Sequence, residues 1–200
     1  MNTRLRILEE ALRQFNKKGI HQVGVREIAR SLNMSPGNLS YHFPKKEDLL
    51  LEIIRNYSKT NKVYREGYLN GKPCLIRFIQ LFEKTFHNQF QHRGIFTELV
   101  EVNRILKEST GFDYTISQTE RINEFENMVE TLQEVGELKL GSEIKTNLVS
   151  FLTLFGRFWI SEAFLAGLPK GQEETVNHYI SILKHQLILN ATPFGVKSLK

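Results

Sequence analysis

The sequence has little cysteine and lacks the motifs of several common classes of enzyme. It contains one cysteine, Cys74, in 200 residues, so no disulfide bond can form within the chain. Cys74 has no histidine close to it in the sequence, and no serine lies in the pattern of a nucleophile elbow. Neither a phosphate-binding loop nor a dinucleotide-binding motif occurs. These absences argue against catalysis, and we predict that the chain is not an enzyme.

The histidines show no spacing that would bind a metal ion. His178 and His185 lie on one face of a predicted helix, but a rise of about 1.5 Å per residue separates them by about 10.5 Å, which is too far for one ion. His87 and His92 would point to different faces of a helix. The sequence therefore predicts no metal site and no cofactor.

The chain has no apolar run near its N-terminus and one candidate for a membrane span further along. Charged residues interrupt the apolar pattern between positions 4 and 10, so we expect no signal peptide and a cytoplasmic protein. Residues 148–168 are mostly apolar, but Arg157 and Glu162 would lie inside a spanning helix, where charge is costly. We therefore predict that the protein does not bind a membrane.

The nine residues 35–43 carry the most information about function. At about 100° per helical residue, Leu39 and Phe43 fall on one side, whereas Tyr41 points nearly opposite. A helix this short with only one apolar edge is held by its neighbours and presents its polar side outward. The alternative is an ordinary surface helix, which the residues before it make less attractive.

A second short helix is predicted over residues 25–32, and a tight connection at 33–35 joins it to the first. Ser35 is a suitable N-cap for the later helix. Pro36 suits the first helical position, because the N–H of that position would be unpaired in any case. Two short helices joined by a tight turn are the layout of a helix-turn-helix DNA reader. We therefore predict that this segment binds DNA.

Hydrophobic periodicity predicts an all-α fold of about nine helices. Three helices precede residue 44, and a fourth runs from about 47 to 65. The helix at 143–166 is expected to end before Gly167, Leu168 and Pro169. The sequence predicts no strand, no internal repeat and no low-complexity segment. The five remaining helices are predicted at 73–92, 95–107, 113–135, 143–166 and 173–190.

The first quarter of the chain contains a set of residues at fixed intervals: Ala11, Phe15, Gly19, Ile28, Ala29, Ser35, Gly37, Leu39, Tyr41, His42, Phe43, Lys46, Glu47, Asp48 and Leu49. Through these residues it resembles the TetR family of bacterial transcriptional regulators. The resemblance implies a helix-turn-helix DNA-binding domain over residues 1–60, with its motif at about 24–43, and a helical regulatory and dimerisation domain over residues 61–200. It also implies a homodimer on a palindromic double-stranded DNA operator, and repression that a small ligand relieves.

The charge distribution agrees with this division. Residues 1–65 contain 13 Lys and Arg against 6 Asp and Glu, whereas residues 66–200 contain 14 against 16. A basic domain gains affinity for a duplex by releasing condensed counterions. A solvated basic surface without a partner is the alternative interpretation of the charge alone. The charge and the motif in the same segment favour DNA binding.

The resemblance assigns the DNA contacts to the motif and to the start of the next helix. Gly37 and Asn38 are expected closest to the bases, and Lys46 at a phosphate. Ser40 stands where the family commonly has Tyr, so the operator sequence of a relative should not be transferred to this chain. The expected contact residues are Arg26, Ser35, Pro36, Gly37, Asn38, Ser40, Tyr41, His42, Lys45 and Lys46.

The second part of the chain is rich in aromatic residues. Twelve of the 14 Phe lie beyond residue 65, together with Trp159. We predict that some of these rings line a pocket for a small apolar or aromatic effector, with packed core as the alternative for each ring. Arg157 and Glu162 are expected at the surface, at the polar end of a ligand, or across a dimer. The candidate lining residues are Phe82, Phe86, Phe90, Phe125, Met128, Phe155 and Trp159.

The helices at 143–166 and 173–190 are the predicted dimer interface. The first is apolar over more of its circumference than one small domain would cover alone. Two copies of both helices would form a four-helix bundle about a two-fold axis, the symmetry of a palindromic operator. The candidate interface residues are Phe151, Phe158, Tyr179, Leu183 and Leu187.

One alternative function shares the DNA reader but lacks the effector. In that case the chain is a constitutive regulator, or one that a protein partner controls. Both modes of control are compatible with the sequence.

Overall fold

The computed structural model describes residues 2–167 and 171–199. Within these ranges the secondary structure consists of eleven helices and one isolated antiparallel bridge, between Leu138 and Ala191. The helices are α1 (Thr3–Lys18), α2 (Val25–Ser31), α3 (Pro36–His42), α4 (Lys46–Leu69), α5 (Leu75–Gln91), α6 (Arg93–Thr97), α7 (Leu99–Thr110), α8 (Tyr114–Glu134), α9 (Ser142–Leu165), α10 (Gln172–Ile188) and α11 (Pro193–Lys197).

The predicted all-α fold is confirmed, and α1 to α5 and α7 to α10 correspond to the nine predicted helices. The start of the helix predicted at 95–107 was wrong, because Glu98, with φ −125° and ψ 41°, separates α6 from α7. The sequence analysis missed α11, whose five residues are too few to show a helical period. Gly167 follows α9 in the left-handed region, with φ 64°. Leu168 and Pro169, expected to end that helix, lie outside the described residues.

The chain divides into two compact units. The first comprises Met1–Thr60 and Gln91–Phe112, and the second comprises Asn61–Phe90 and Asp113–Lys200. The division predicted at residue 60 assigned residues 91–112 to the regulatory domain. In the structure these residues, which include α6 and α7, pack with the first unit.

A glycine explains how α6 packs on α1 in the first unit. A Cβ atom added at Gly94 would lie 2.7 Å from the backbone carbonyl of Phe15, so a larger residue could not approach as closely. The Asn16 side chain joins the same two helices: its Nδ2 donates to Gln91 O at 2.7 Å and its Oδ1 accepts from Gly94 N at 2.8 Å. The pairing therefore depends on a contact that local sequence does not reveal.

One apolar core holds α1 to α4 together in the first unit. A large apolar side chain such as Leu, Ile or Phe stabilises a fold by about 1.5–3 kcal/mol when it is fully buried. The core includes Ile7, Ala11, Phe15, Ile20, Ile28, Ala29, Leu39, Phe43, Leu49 and Leu50. These contacts fix the position of α3, which is too short to be stable alone.

Aromatic rings and one amide form the centre of the second unit. Phe86 of α5 stacks on Trp159 of α9, with ring centroids 4.4 Å apart. Trp159 Nε1 donates to Gln89 Oε1 at 2.6 Å, and Gln89 Nε2 donates to Gly156 O at 2.7 Å. The buried amide of Gln89 thus has a partner at each end, which holds α5 against α9.

A buried carboxylate links separate segments of the second unit through hydrogen bonds. Glu137, between α8 and α9, is 2% exposed. Its Oε2 accepts from Leu75 N at 3.2 Å, at the start of α5, and from Ser198 Oγ at 2.6 Å, just after α11. Burial of a carboxylate without such donors is strongly unfavourable. Glu137 therefore ties the start of α5 to the end of the chain.

Candidate nucleic-acid interface

The helix α3 has one buried edge and an open opposite side. Leu39 and Phe43 are 0% and 1% exposed, whereas Tyr41, between them in the sequence, is 84% exposed. Ser35 Oγ accepts from Asn38 N at 3.1 Å and so caps the first turn. The helix is therefore fixed by its apolar edge and its cap, and its other side chains face outward.

The turn between α2 and α3 depends on one left-handed residue. Asn33 has φ 54°, a conformation that asparagine tolerates better than most residues. Met34 N donates to Ala29 O at 3.0 Å, which closes the turn against the last part of α2. The tight connection expected at residues 33–35 is thus present, and it sets the angle at which α3 leaves α2.

The predicted DNA contacts lie on this open side and around it. His42 and Lys46 are half-buried, and the other eight are exposed. The rings of Tyr41 and His42 meet edge to face, with centroids 5.3 Å apart. The exposed eight are Arg26, Ser35, Pro36, Gly37, Asn38, Ser40, Tyr41 and Lys45. All ten therefore keep at least part of their surface available, and their contact with DNA stays a prediction.

Sequence reasoning missed Arg4, which holds the C-terminal end of α3. Its Nη1 donates to His42 O at 3.0 Å, its Cζ lies 4.2 Å from the Phe43 ring centroid, and its Nη2 lies 3.6 Å from Glu52 Oε2. A cation at this end also interacts favourably with the helix dipole. In the sequence Arg4 is simply one of several basic residues of α1, so no local signal would have identified this role.

Lys46 and its neighbours fix the entry to α4. Lys46 Nζ donates to Ile20 O at 3.0 Å, so the side chain also holds the connection before α2. Asp48 Oδ2 accepts from Lys45 N at 2.9 Å, which is the reach-back half of a capping box. Lys45 has no side-chain oxygen to accept from the first N–H groups of α4, so only this half of the capping box is present. The predicted phosphate contact of Lys46 would therefore be made by an already anchored side chain.

Not every cation of the first unit contributes free positive charge. On α1, Arg13 Nε and Nη2 donate to the two carboxylate oxygens of Glu10 at 2.7 and 2.6 Å. The Arg13 hydrogen bonds lower the pKa of Glu10 to about 2. This pair is ionised but neutral in sum at physiological pH, so the positive field comes from the other cations.

The predicted effector residues, all in the second unit, mostly pack on one another. Phe86 and Trp159 are almost fully buried, and Phe82 stacks on Phe125 with centroids 5.5 Å apart. Phe155 lies 6.0 Å from Phe86 by ring centroids. Phe90 is 8% exposed. These contacts are those of a packed core in this conformation, and a role in ligand binding stays a prediction.

A separate cavity of about 240 Å³ lies in the second unit. Met128 is the one predicted effector residue among those that line it. Burial raises the pKa of Tyr68 to about 12, and its hydroxyl finds no hydrogen-bond partner among the described residues. The lining residues are Tyr68, Leu69, Gly71, Pro73, Glu124, Asn127, Met128 and Thr131.

The predicted dimer residues differ in the surface that they offer. Phe158 is 44% exposed and Phe151 is half-buried, but Tyr179, Leu183 and Leu187 are 5%, 0% and 0% exposed. A side chain covered by its own unit has almost no surface left for a second copy. The exposed apolar residues on the same two helices are Ile144, Leu154, Phe158, Leu165 and Ile182.

Residues 2–167 and 171–199 contain no group of three or more His, Cys, Asp or Glu side chains placed to hold a metal ion. By length and composition alone, α9 could cross a membrane, a property that core helices of water-soluble proteins share.

Residues 7–53 match the family described as bacterial regulatory proteins, tetR family. The probable HTH-type transcriptional regulator YttP of Bacillus subtilis (strain 168) is 39% identical over 99 residues, which cover 48% of this chain and 47% of that protein. The chain thus spans about half the length of the curated relatives that it matches.

Solved structures share the fold along the whole chain. A TetR-family transcriptional regulator from Marinobacter aquaeolei VT8 is similar with a TM-score of 0.81 and 22% identity, covering 100% of this chain and 96% of the other. The SmeT–triclosan complex is similar with a TM-score of 0.63 and 13% identity, covering 96% and 93%. At these identities the likeness shows the fold alone.

Proposed function

Because the chain belongs to the tetR family of bacterial regulatory proteins, we propose that it is a cytoplasmic DNA-binding transcriptional regulator. It binds a palindromic operator as a homodimer and acts as a repressor that a small apolar or aromatic effector releases. The observation that carries the proposal is the open side of α3, where Tyr41 is 84% exposed on a helix anchored by buried Leu39 and Phe43.

In this proposal α3 enters the major groove and supplies the base contacts. Apart from its chain neighbours and the backbone of its own helix, no heavy atom lies within 4 Å of the position of a Cβ at Gly37, so a nucleic-acid backbone can approach α3 there. Asn38 and Ser40 present short polar groups at the helix surface, and Tyr41 reaches furthest from it. Backbone N–H groups in the first turn of a helix suit phosphate oxygens. The basic residues around α3 add the salt-dependent part of the affinity.

The proposed dimer forms through α9 and α10. Leu154, Phe158 and Leu165 of α9 are 57%, 44% and 86% exposed, and Ile182 of α10 is 40% exposed. Association would remove these side chains from water, which stabilises the dimer by about 25 cal/mol per Å² of apolar area. A two-fold axis through this bundle would present two copies of α3 to successive major grooves, about 34–36 Å apart.

The proposed effector acts through α4. This helix follows α3 in the sequence; its residues up to Thr60 belong to the first unit, and those from Asn61 onward belong to the second. Leu69, at its end, lines the cavity that also contains Met128. A ligand that binds a conformation with the wrong spacing of α3 more tightly would release DNA, and equal affinity for both conformations would change nothing.

The tight ring packing of the second unit favours the alternative of a regulator without an effector. Phe86 has no exposed surface and lies against Trp159. A core packed this closely has no room for a ligand among these rings unless it rearranges. In this alternative the DNA reader is unchanged, and control is constitutive or comes from a protein partner.

Selection of bound duplexes from a random DNA library by the full-length protein tests the proposal. We expect a palindromic site with half-sites about 10 base pairs apart or a multiple of that distance. Enrichment of no sequence over any other would contradict it. A thermal-shift screen of apolar and aromatic compounds then separates the two modes of control, because an effector must both stabilise the protein and release the selected DNA.

A further inference from the structure

Arg121 of α8 contains two buried donors that lack an acceptor. Its Nε and Nη2 atoms are buried, and nothing in the described parts of the chain accepts a hydrogen bond from either. Its Nη1 has one polar neighbour, Ser117 Oγ, at the long distance of 3.5 Å. Buried donors of a charged group are nearly always paired in native proteins, so this guanidinium calls for a partner.

The two atoms without an acceptor are the pair that binds a carboxylate side-on. Elsewhere in this chain, Arg13 uses Nε and Nη2 to hold both oxygens of Glu10, at 2.7 and 2.6 Å. Arg104 uses the same pair to hold Glu101, at 3.0 and 2.7 Å. In Arg121 this planar fork is present and buried, and it matches the two oxygens of one carboxylate.

A second guanidinium group, on another helix, lies close to the ring of Tyr114, which Arg121 also approaches. The Tyr114 ring centroid is 4.6 Å from Arg157 Cζ, on α9, and 5.9 Å from Arg121 Cζ. Both guanidinium groups therefore lie beside one aromatic ring, so an anion bound at Arg121 would also be close to the positive charge of Arg157.

Apolar surface lies next to this pair of charges. Phe125 follows Arg121 by one helical turn, so both lie on one face of α8, and its ring stacks on Phe82. On α9, Gly156 precedes Arg157, and a Cβ added there would lie 3.4 Å from Phe82. The positive site thus adjoins an aromatic surface, which suits an anion carried on an apolar body.

We propose that Arg121, Arg157 and the Tyr114 ring form a binding site for the carboxylate of an apolar organic acid. The carboxylate accepts two hydrogen bonds from the Arg121 fork, and its apolar part lies toward Phe125. The proposal names the chemical class of the effector and rests on the proposed regulatory function for its consequence. The binding itself is measured without DNA.

The test uses the full-length protein and two acids, sodium octanoate and sodium benzoate, with octanamide and benzamide as neutral matches. We expect the acids to raise the melting temperature by roughly 3–6 °C at a tenfold excess over their dissociation constant, and the amides to do far less. Arg121→Gln should weaken acid binding at least about tenfold in calorimetric titration. Arg104→Gln, which removes a similar fork that Glu101 already fills, is the control and should bind the acids normally.

The variants also separate binding from a structural role. Without the acid, Arg121→Gln should melt close to the wild type, because the one acceptor that loses a donor is Ser117 Oγ, at the long distance of 3.5 Å. Arg121→Lys keeps the charge but loses the fork, so it should bind acids more weakly than the wild type. Equal stabilisation by acids and amides, unchanged acid affinity in Arg121→Gln, or no saturable binding of either acid up to about 10 mM would overturn the proposal.

Failure of this inference and failure of the proposed function are distinguishable. If the protein selects an operator but binds neither acid, the proposed regulatory function is supported and the proposed carboxylate site is refuted. If it binds acids through Arg121 but selects no DNA sequence, the carboxylate site is supported and the proposed regulatory function is refuted.

Discussion

Truncating two side chains of α3 gives the sharpest test of how this helix is oriented. Leu39 is 0% exposed and Tyr41, two positions later, is 84% exposed. Leu39→Ala removes a buried side chain and should lower the free energy of unfolding by about 2–5 kcal/mol. Tyr41→Ala removes almost no buried surface, and its free energy of unfolding should stay within about 0.5 kcal/mol of the wild type.

For Tyr41→Ala we expect a large effect on DNA binding, in contrast to its small expected effect on stability. Loss of a side chain at the centre of the contact surface should weaken operator binding by about 1–3 kcal/mol, which is about 5- to 150-fold in the dissociation constant. Urea denaturation followed by circular dichroism measures stability, and fluorescence anisotropy with the selected duplex measures affinity. Phe194→Ala, which truncates another exposed ring in the second unit, is the matched control and should alter neither quantity strongly.

Two results would refute the reasoning. A stability loss above about 1 kcal/mol in Tyr41→Ala would mean that this ring is packed and not open. Unchanged operator affinity in a well-folded Tyr41→Ala would mean that another surface reads the DNA.

Three further predictions address the anchor of α4, the dimer and the core. Lys46→Met should reduce the salt dependence of DNA binding by about one unit of slope and lower the free energy of unfolding by about 1 kcal/mol, because its bond to Ile20 O is lost; an unchanged slope would argue against a phosphate contact. Phe158→Glu should shift the protein from dimer to monomer in light scattering with helicity preserved, and an intact dimer would exclude this face of α9. Trp159→Phe leaves the buried Oε1 of Gln89 without its donor and should lower the free energy of unfolding by about 1–3 kcal/mol in urea titration; a smaller loss would mean that water replaces the indole.

The helix-turn-helix could be predicted because its signals are local. A cap, a proline at the first position and two apolar residues four apart describe α3 within nine residues, and neighbouring residues meet by the geometry of the helix itself. The same logic explains why α6 was not separated from α7. Glu98 is an ordinary helix former, and what interrupts the helix there is tertiary: Glu98 Oε2 accepts from His21 N at 3.1 Å in the first unit.

The candidate site in the second unit was less predictable, because ring spacing cannot tell a packed core from a pocket. Phe82 and Phe86 were predicted as lining residues because this part of the chain is rich in aromatic residues, and in the structure they contact other rings. The cavity is instead lined by Met128 and other residues of α8, together with residues at the end of α4 and in the α4–α5 connection. Which side chains face a cavity depends on how separate helices meet, and a single helix does not contain that information.

The amino-acid sequence alone determined the helical fold class, the bihelical motif and the face of α3 that points outward, since each follows from residues within about two helical turns of one another. Only the tertiary structure decided the contacts between residues far apart in the chain. It placed Arg4 beneath the end of α3, buried Leu187 in its own unit, and brought the guanidiniums of Arg121 and Arg157 to one ring. The physical reason is that burial and charge pairing act through space, so their partners are set by the packing of whole helices and not by neighbours along the chain.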